Sequence, residues 1–465
     1  MTPQPSRSAD QPAPSRGEPR ELTLAVGAPA HGGHCVARPV DDPSGRVIFV
    51  RHALPGETVR ARLTEMTSRT WRADAVEILQ ASPDRVESVW PEAGPAGVGG
   101  GELAHVALDA QRTWKRWVLA DCLRRIGGQE VADAVAALPE ASAAAAVPIE
   151  PMPTDAAAQA SNSARRRALA GTATRTRVSL TVGEDGRPGM HAFRSGTVLP
   201  LRRLPLAVDA ITEIGLLERS RWRAHYRPGM RIEAIAPSGG EPVVLLDERL
   251  LTAQARSTGR RRVREVVDAS ALGLGELTYS VHAEGFWQVH VDAPRVLVER
   301  VVRGALGADL DGAAGSRVLE LYSGAGLFTL PLAALVGSGG EVVSLEGNEQ
   351  AVRDARRTLH DQPSARLASG RVSARSVREL AGSFTGGRPD VVVLDPPRQG
   401  AGREVIEAVG ALGAERIVLV ACDPAALARD LGTLLRSGYT LGSMSALDMF
   451  PHTHHFETIA VLERS

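Results

Sequence analysis

Arg317-Val-Leu-Glu-Leu-Tyr-Ser-Gly-Ala-Gly-Leu-Phe-Thr-Leu-Pro-Leu332 reads as a buried strand, a Gly-x-Gly turn and the start of an apolar helix. Glycine lets the backbone pass close to a ligand where a Cβ would collide. The next strand, Glu341-Val-Val-Ser-Leu, ends at Glu346. An acid at the end of the second strand of an open α/β sheet is placed to bond a ribose diol. Position 329 is Thr, so the dinucleotide fingerprint Gly-x-Gly-x-x-Gly is incomplete. A site for S-adenosylmethionine has no pyrophosphate to cradle and tolerates the shorter loop. It is favoured over a nicotinamide cofactor, and a purely structural glycine turn is the third alternative.

Outward from this loop, strands and helices alternate from about residue 281. Strands at 317–321, 341–345, 390–394 and 416–421 are separated by helical stretches such as Gln350–His360 and Arg403–Leu412. That order predicts a mostly parallel sheet covered on both faces. The last two strands, near 439–447 and 457–462, have no helix between them and are expected as an antiparallel hairpin at the sheet edge. Arg416-Ile-Val-Leu-Val-Ala-Cys422 puts a thiol at the carboxyl end of a strand, where such sheets bind ligands. Cys422 is a candidate nucleophile, with a small buried hydrophobe as the alternative. Asp395-Pro-Pro-Arg398 follows the strand at 391–394, and two prolines there predict a rigid, non-helical loop. Asp395 either faces the site or caps a helix.

Toward the N-terminus, about five short strands with Gly and Pro punctuation run from Leu22 to Leu79 and predict a small β-barrel of the oligonucleotide-binding kind. Residues 1–19 read as a disordered tail, 20–80 as the barrel, 81–280 as a central α+β domain and 281–465 as the α/β domain. Within the central domain, Leu108–Ile126 has helical spacing of Trp114, Trp117, Val118, Cys122 and Ile126, and Gly127-Gly128 is its stop. Residues 131–160, rich in Ala and Pro, read as a poorly constrained helix plus linker.

The 465 residues carry 54 basic and 54 acidic side chains, so net charge gives no argument for a polyanion partner. The distribution is uneven. Residues 161–280 hold twenty arginines against twelve acids, a face that fits either RNA or solvent. Lys115 is the single lysine in an Arg-rich chain. No run approaches a membrane span and no signal peptide is evident. Three cysteines without a Cys-x-x-Cys spacing argue against a disulfide framework or a cysteine metal site and fit a reducing cytoplasm. His452, His454 and His455 invite a metal reading, which their close packing and lack of a carboxylate at a recognisable spacing disfavour.

Taken in order, Gly285-Phe-Trp-Gln288-Val-His290, Glu320-Leu-Tyr322-Ser-Gly-Ala-Gly, Glu346, Asp395-Pro-Pro-Arg398, Ala421-Cys422-Asp-Pro and Asp448-Met-Phe-Pro-His-Thr-His-His-Phe-Glu457 closely resemble the class I RNA uracil-C5 methyltransferase family. The barrel, with Gly32-Gly33-His34 and Leu54-Pro-Gly-Glu57, resembles a TRAM domain, an RNA-binding module. The resemblance implies a Rossmann-like methyltransferase domain and formation of 5-methyluridine in tRNA or 23S rRNA. It assigns Cys422 as the nucleophile that adds to C6 and Glu457 as the proton acceptor. Gln288, Tyr322, Glu346 and Asp395 are expected to contact S-adenosylmethionine. RNA is the expected partner, with no membrane association, a cytoplasmic location and a monomer favoured. Some family members hold an iron–sulfur cluster after the TRAM domain. The corresponding loop, Gly94 to His105, has no cysteine, and no cluster or other metal is expected.

Four positions depart from the family pattern: Ala421 for Ser, Asp423 for Asn, Ser323 for Cys and His290 for Asn. An Asp beside the nucleophile would oppose thiolate formation if its carboxylate pointed at the sulfur. The alternatives are an RNA cytosine-C5 methyltransferase, which would need a second cysteine where Arg398 stands, and an RNA-binding protein with weakened or lost catalysis.

Overall fold

The computed structural model describes residues 20–141 and 146–465, so the tail expected over 1–19 lies outside the described residues. Two compact units are distinguished, the first running to Pro83 without the turn His31–Gly33, which groups with the second.

In the first unit, strands Glu21–Ala30, His34–Pro39, Ile48–Arg51, Thr58–Met66 and Trp71–Gln80 close into a barrel, with the fifth strand between the third and fourth. Alternate residues point inward, as the two-residue period of a strand requires. Leu24, Val26, Val59, Ala61, Ala73 and Ala75 fill the interior with Ile48 and Val50. Gly56, at φ +83°, supplies the left-handed residue of the Leu54–Glu57 turn, and Glu57 Oε2 closes it by accepting from the Leu54 N–H at 2.8 Å.

The second unit is organised on an eight-stranded sheet in the order Ala365–Ser369, Glu341–Glu346, Arg317–Leu321, Val391–Leu394, Arg416–Ala421, Glu457–Arg464, Tyr439–Asp448 and Ile149–Pro151. The first five strands are parallel. Glu457–Arg464 runs antiparallel to both neighbours. Chain order reverses between Arg317–Leu321 and Val391–Leu394, so the crevice at their carboxyl ends is the topological switch point.

Successive strand residues serve opposite faces. Val318, Val391, Val393, Val418 and Val420 pack with the helices Ala293–Leu306 and Thr329–Val336. Leu319, Leu321, Val392, Leu394, Ile417 and Leu419 pack with the helices Leu108–Arg125, Arg403–Ala411 and Pro424–Arg436. With both faces covered, the central strands read as continuous apolar runs. A separate six-stranded antiparallel sheet, Arg177–Val182 to Arg249–Thr252, has its own core around Trp222, Ile232 and Val244.

Several expectations are corrected. The terminal hairpin is antiparallel but does not form the sheet edge, because Ile149–Pro151 adds a parallel strand outside it. That strand falls within 131–160, read as a poorly constrained helix plus linker; a helix is present as Gln129–Ala136, a second helix, Pro153–Gln159, follows the strand, and residues 142–145 lie outside the described residues. The opposite edge, Ala365–Ser369, was not expected as a strand. It is half exposed, and its polar, Ala-containing sequence has no two-residue apolar pattern. On Leu108–Arg125, Trp117 and Ile126 face solvent rather than the core.

Candidate active site

The strand Arg317–Leu321 ends in a sharp exit at Tyr322, a non-glycine residue at φ +64° whose N–H donates to the Leu345 carbonyl at 2.9 Å. Gly324 follows at φ +56°, and a Cβ there would meet nothing within 4 Å, so this backbone face is open to a ligand. Glu346 reaches across from the next strand end. Its Oε2 accepts from the Gly324 N–H at 2.9 Å and its Oε1 from the Asn348 N–H at 2.6 Å. Beneath the turn, buried Glu320 accepts from Thr329 Oγ1 at 2.6 Å and Ser344 Oγ at 2.8 Å, while its Oε1 has no partner among the described residues. Burial pushes the Glu320 carboxyl up to about 7. An open glycine face, a strand-end carboxylate and a buried acid with a spare oxygen fit S-adenosylmethionine.

Gln288 lies in a different segment and makes no hydrogen bond to the other predicted site residues among those described. Arg177 Nη1 donates to the carbonyls of Ala283 and Gly285 and holds the start of this segment. Phe286 is 76% exposed beside it, whereas Trp287 packs on Tyr279 with ring centroids 5.1 Å apart. His290 is structural. Its Nε2 meets Asp155 Oδ2 at 3.1 Å and its Nδ1 accepts from the Asp292 N–H.

Cys422 leaves the end of Arg416–Ala421, and Glu457 begins the strand beside it. Ala421 is in register with Thr458, and Thr458 Oγ1 donates to the Ala421 carbonyl at 2.8 Å. The thiol and the carboxyl therefore flank a single rung of the ladder. Asp395 ends the parallel strand on the other side, where no helix starts until Arg403, and that helix has Gly402 at its cap. Asp395 is thus not an N-cap. The structure brings Asp395, Cys422 and Glu457 to one end of three adjacent strands.

Electrostatics in this corner favour protons over charges. Burial, then the negative charges of Glu457 and Asp395, push the Cys422 thiol up to about 12, with Arg398 opposing. Burial and nearby Glu346 raise Asp395 to about 7. Burial and Asp395 hold Glu457 well above the usual carboxylate range, and its Oε1 has no hydrogen bond among the described residues. Glu457 is buried while Asp395 and Cys422 are partly exposed, and the three lie close enough that each carboxylate charge disfavours ionisation of the thiol. Arg398, the cation that offsets both groups, was read from the sequence only as absence of a second cysteine.

Asp423 does not aim at the sulfur. It caps the helix Pro424–Arg436, Oδ1 accepting from the N–H groups of Ala425 and Ala426 at 3.0 and 2.8 Å. Its Oδ2 is bonded to His31 Nε2 at 2.8 Å, His31 belonging to this unit. Burial alone would raise the Asp423 carboxyl, but these hydrogen bonds outweigh it and the group is held below its ordinary value.

The loop from Met449 to Phe456, which delivers Glu457, is fastened by residues that sequence reasoning missed. Lys115 donates to Asp448 Oδ1 and the Phe450 carbonyl. Gln111 Nε2 bonds the Leu103 and Val106 carbonyls and His452 Nδ1, and its Oε1 accepts from the His452 N–H. His454 pairs with Glu102 through Nδ1 and through its N–H. Burial keeps His452 down at about 4 and His455 at about 3, so both rings are neutral. Among the described residues no group of three metal-ligating side chains converges. The signal available was Lys115, the lone lysine of the chain, which shares a mostly apolar helical face with Gln111.

Residues 276–465 match the tRNA (uracil-5-)-methyltransferase family and residues 18–76 match the TRAM domain. The chain is 38% identical to an RNA methyltransferase of Streptomyces avermitilis, over 95% of this chain and 98% of that one. The chain belongs to the RNA uracil-5-methyltransferase family. Another member, the 23S rRNA (uracil(1939)-C(5))-methyltransferase RlmD of Acinetobacter baumannii, is 30% identical over 94% of this chain and 92% of its own length. The fold of the family is seen in the Pyrococcus abyssi tRNA (uracil-54, C5)-methyltransferase, solved with S-adenosyl-L-homocysteine. It superimposes with a TM-score of 0.62 at 20% identity, covering 94% of this chain and 99% of that one. No helix among the described residues is long and apolar enough to cross a membrane.

Proposed function

We propose that the chain methylates C5 of a uridine in RNA, with Cys422 as a covalent nucleophile and Glu457 as the proton acceptor. The observation that carries this reading is the Ala421–Thr458 rung, which sets a thiol and an otherwise unbonded carboxyl side by side at the switch-point end of the sheet. Uracil C5 is too weak a nucleophile to take a methyl group unaided. Cys422, as thiolate, forms a bond from Sγ to C6, and the electrons of the C5–C6 double bond move toward O4 as an enolate. S-adenosylmethionine, when bound, would supply an electrophilic sulfonium methyl for C5 to take, with S-adenosylhomocysteine as the leaving group. Glu457 then takes the proton from C5, and the Sγ–C6 bond breaks as the ring double bond reforms. Asp395 and Arg398 flank the base site and set how readily Cys422 and Glu457 release their protons.

Glu346, which accepts from the Gly324 N–H, would hold S-adenosylmethionine together with Tyr322 and Asp395 at the neighbouring strand ends, with Gln288 completing the site from the 285–290 segment. 23S rRNA is the first RNA to test, because relatives with a stated substrate, including the Acinetobacter protein, are named for it. The test is incubation with labelled S-adenosylmethionine and transcripts of 23S rRNA and tRNA, followed by nucleoside analysis. Label in 5-methyluridine supports the reading. Label in 5-methylcytidine, or none in any transcript, refutes it.

A further inference from the structure

We infer that the short helix Ala164–Ala168 is a phosphate-binding arm, on which Arg165, Arg166 and Arg167 hold the RNA backbone next to the target uridine. The inference rests on the RNA reading above. This helix buries no side chain, and its residues are exposed from Ser163 to Leu169. A surface helix ordinarily buries an apolar stripe, and five residues are too few for a helix to persist alone. Something other than packing must account for its presence.

Its attachments are informative. Ser163 Oγ caps its start by accepting from the Arg166 N–H, and Arg167 Nη1 donates to the Ser161 carbonyl at 2.7 Å. At its end the chain dives into buried Ala170 and Gly171. The Ala170 carbonyl is bonded by His452 Nε2 at 3.3 Å, and the Gly171 N–H donates to Asp155 Oδ1 at 3.1 Å. Gly171 sits at φ +78°, and a Cβ there would lie 2.8 Å from His452 Nε2 and 3.0 Å from the Pro451 ring. The second oxygen of Asp155 takes His290. The arm is therefore tied at one point to the loop that ends in Glu457 and at another to the segment that carries Gln288.

Charge decides what it is for. Some arginines on other exposed helices pair with a carboxylate four residues away, as in Arg353–Glu349, Arg375–Glu379 and Arg403–Glu407, while Arg356, Arg357 and Arg378 have no such partner among the described residues. Among the described residues, no carboxylate is within ion-pair distance of Arg165, Arg166 or Arg167. Three consecutive uncompensated guanidinium groups, hung on the two loops that frame the site, complement a polyanion. Guanidinium forks match phosphate oxygens in pairs. Such contacts position a strand without reading its sequence, which suits an arm beside a site that must receive a splayed-out base.

The test is fluorescence anisotropy with a labelled oligouridylate across a salt series, using the full chain. For single strands each neutralised phosphate contributes about 0.7 to the slope of log K against log salt, so replacing all three arginines by alanine should lower the slope by about 2 and weaken binding roughly tenfold or more at low salt. The triple lysine variant should retain most of the slope. An alanine variant with an unchanged melting temperature and an unchanged slope overturns the arm. If that happens while wild-type protein makes 5-methyluridine, only the arm falls. If wild-type protein makes none yet the slope drops as stated, the arm stands and the C5 chemistry falls.

Discussion

Lys115 Nζ donates to Asp448 Oδ1 at 2.5 Å with both side chains shut off from solvent, at 0% and 2% exposure. Burial pulls the ammonium below its ordinary value, and Asp448 opposes this only in part. The pair joins the helix Leu108–Arg125 to the end of Tyr439–Asp448, directly before the loop that delivers Glu457. Removing one partner strands the other charge. Asp448→Asn should cost about 3–5 kcal/mol in urea unfolding, whereas a Lys115→Met/Asp448→Leu double variant should recover much of it. Equal losses in single and double variants would remove the pair from the stability argument.

Adduct formation should separate the two chemical roles. With 5-fluorouridine RNA, Cys422→Ala should give no covalent complex on a denaturing gel. Glu457→Gln should accumulate complex with normal RNA, and its turnover should fall by roughly 10²–10⁴. Free turnover in Cys422→Ala would exclude the covalent route.

Because burial and the charges of Glu457 and Asp395 lift the thiol to about 12, the thiolate fraction is small at neutral pH and grows as pH rises. Carboxamidomethylation of Cys422 by iodoacetamide should therefore climb steadily from pH 7 to pH 10, without a plateau near the usual thiol value. Asp395→Asn removes one of the opposing charges and should speed labelling at a given pH. The same sign holds for turnover. On the proposed role Glu457 acts in its deprotonated form, and because burial and Asp395 raise it well above the carboxylate range, kcat/KM should keep increasing with pH beyond the range in which an ordinary carboxylate has already lost its proton. A flat profile would contradict this assignment.

Asp423 is a cap rather than a modulator of the sulfur, and Asn caps as well as Asp does. Asp423→Asn should keep wild-type labelling rates at Cys422, whereas Asp423→Ala should lose about 1 kcal/mol of stability. Markedly faster labelling in the Asn variant would show that the carboxylate acts on the thiol after all.

Glu346 spends one oxygen on the Gly324 N–H of the glycine loop and the other on the N–H of Asn348 in the turn after its own strand. Glu346→Gln keeps one acceptor and Glu346→Ala none. Calorimetry should show S-adenosylmethionine binding weakened in the order wild type, Gln, Ala, with about tenfold or more lost in the Ala variant. Equal affinity in all three would place the ligand elsewhere.

The strand–turn–helix at 317–332 and the strand ending in Cys422 were legible because buried parallel strands are continuous apolar runs and their punctuation is local. The barrel was legible for the opposite reason, since its alternating residues and turn glycines are also local signals. What stayed hidden was long-range. Nothing near Ile149 announces that three residues in an Ala/Pro-rich stretch will extend the sheet beside Asp448, and nothing near Glu102, Gln111 or Lys115 announces a loop more than three hundred residues away. The departures at His290 and Asp423 looked like losses in the sequence. In space they have found partners, Asp155 and the helix N–H groups.

The rung between Ala421 and Thr458 also means that the backbone separation of Cys422 and Glu457, the two groups proposed to react, is held by main-chain pairing inside a sheet, not by a flexible loop. Motion of the surrounding loops can open or shut access to the pair, but it cannot stretch the pair apart. Only a slip of the last strand could do that, and a one-residue slip would turn Glu457 to the opposite face and move Ile459 and Val461 into the other core layer. The sheet works as a ruler, and its graduation is one residue.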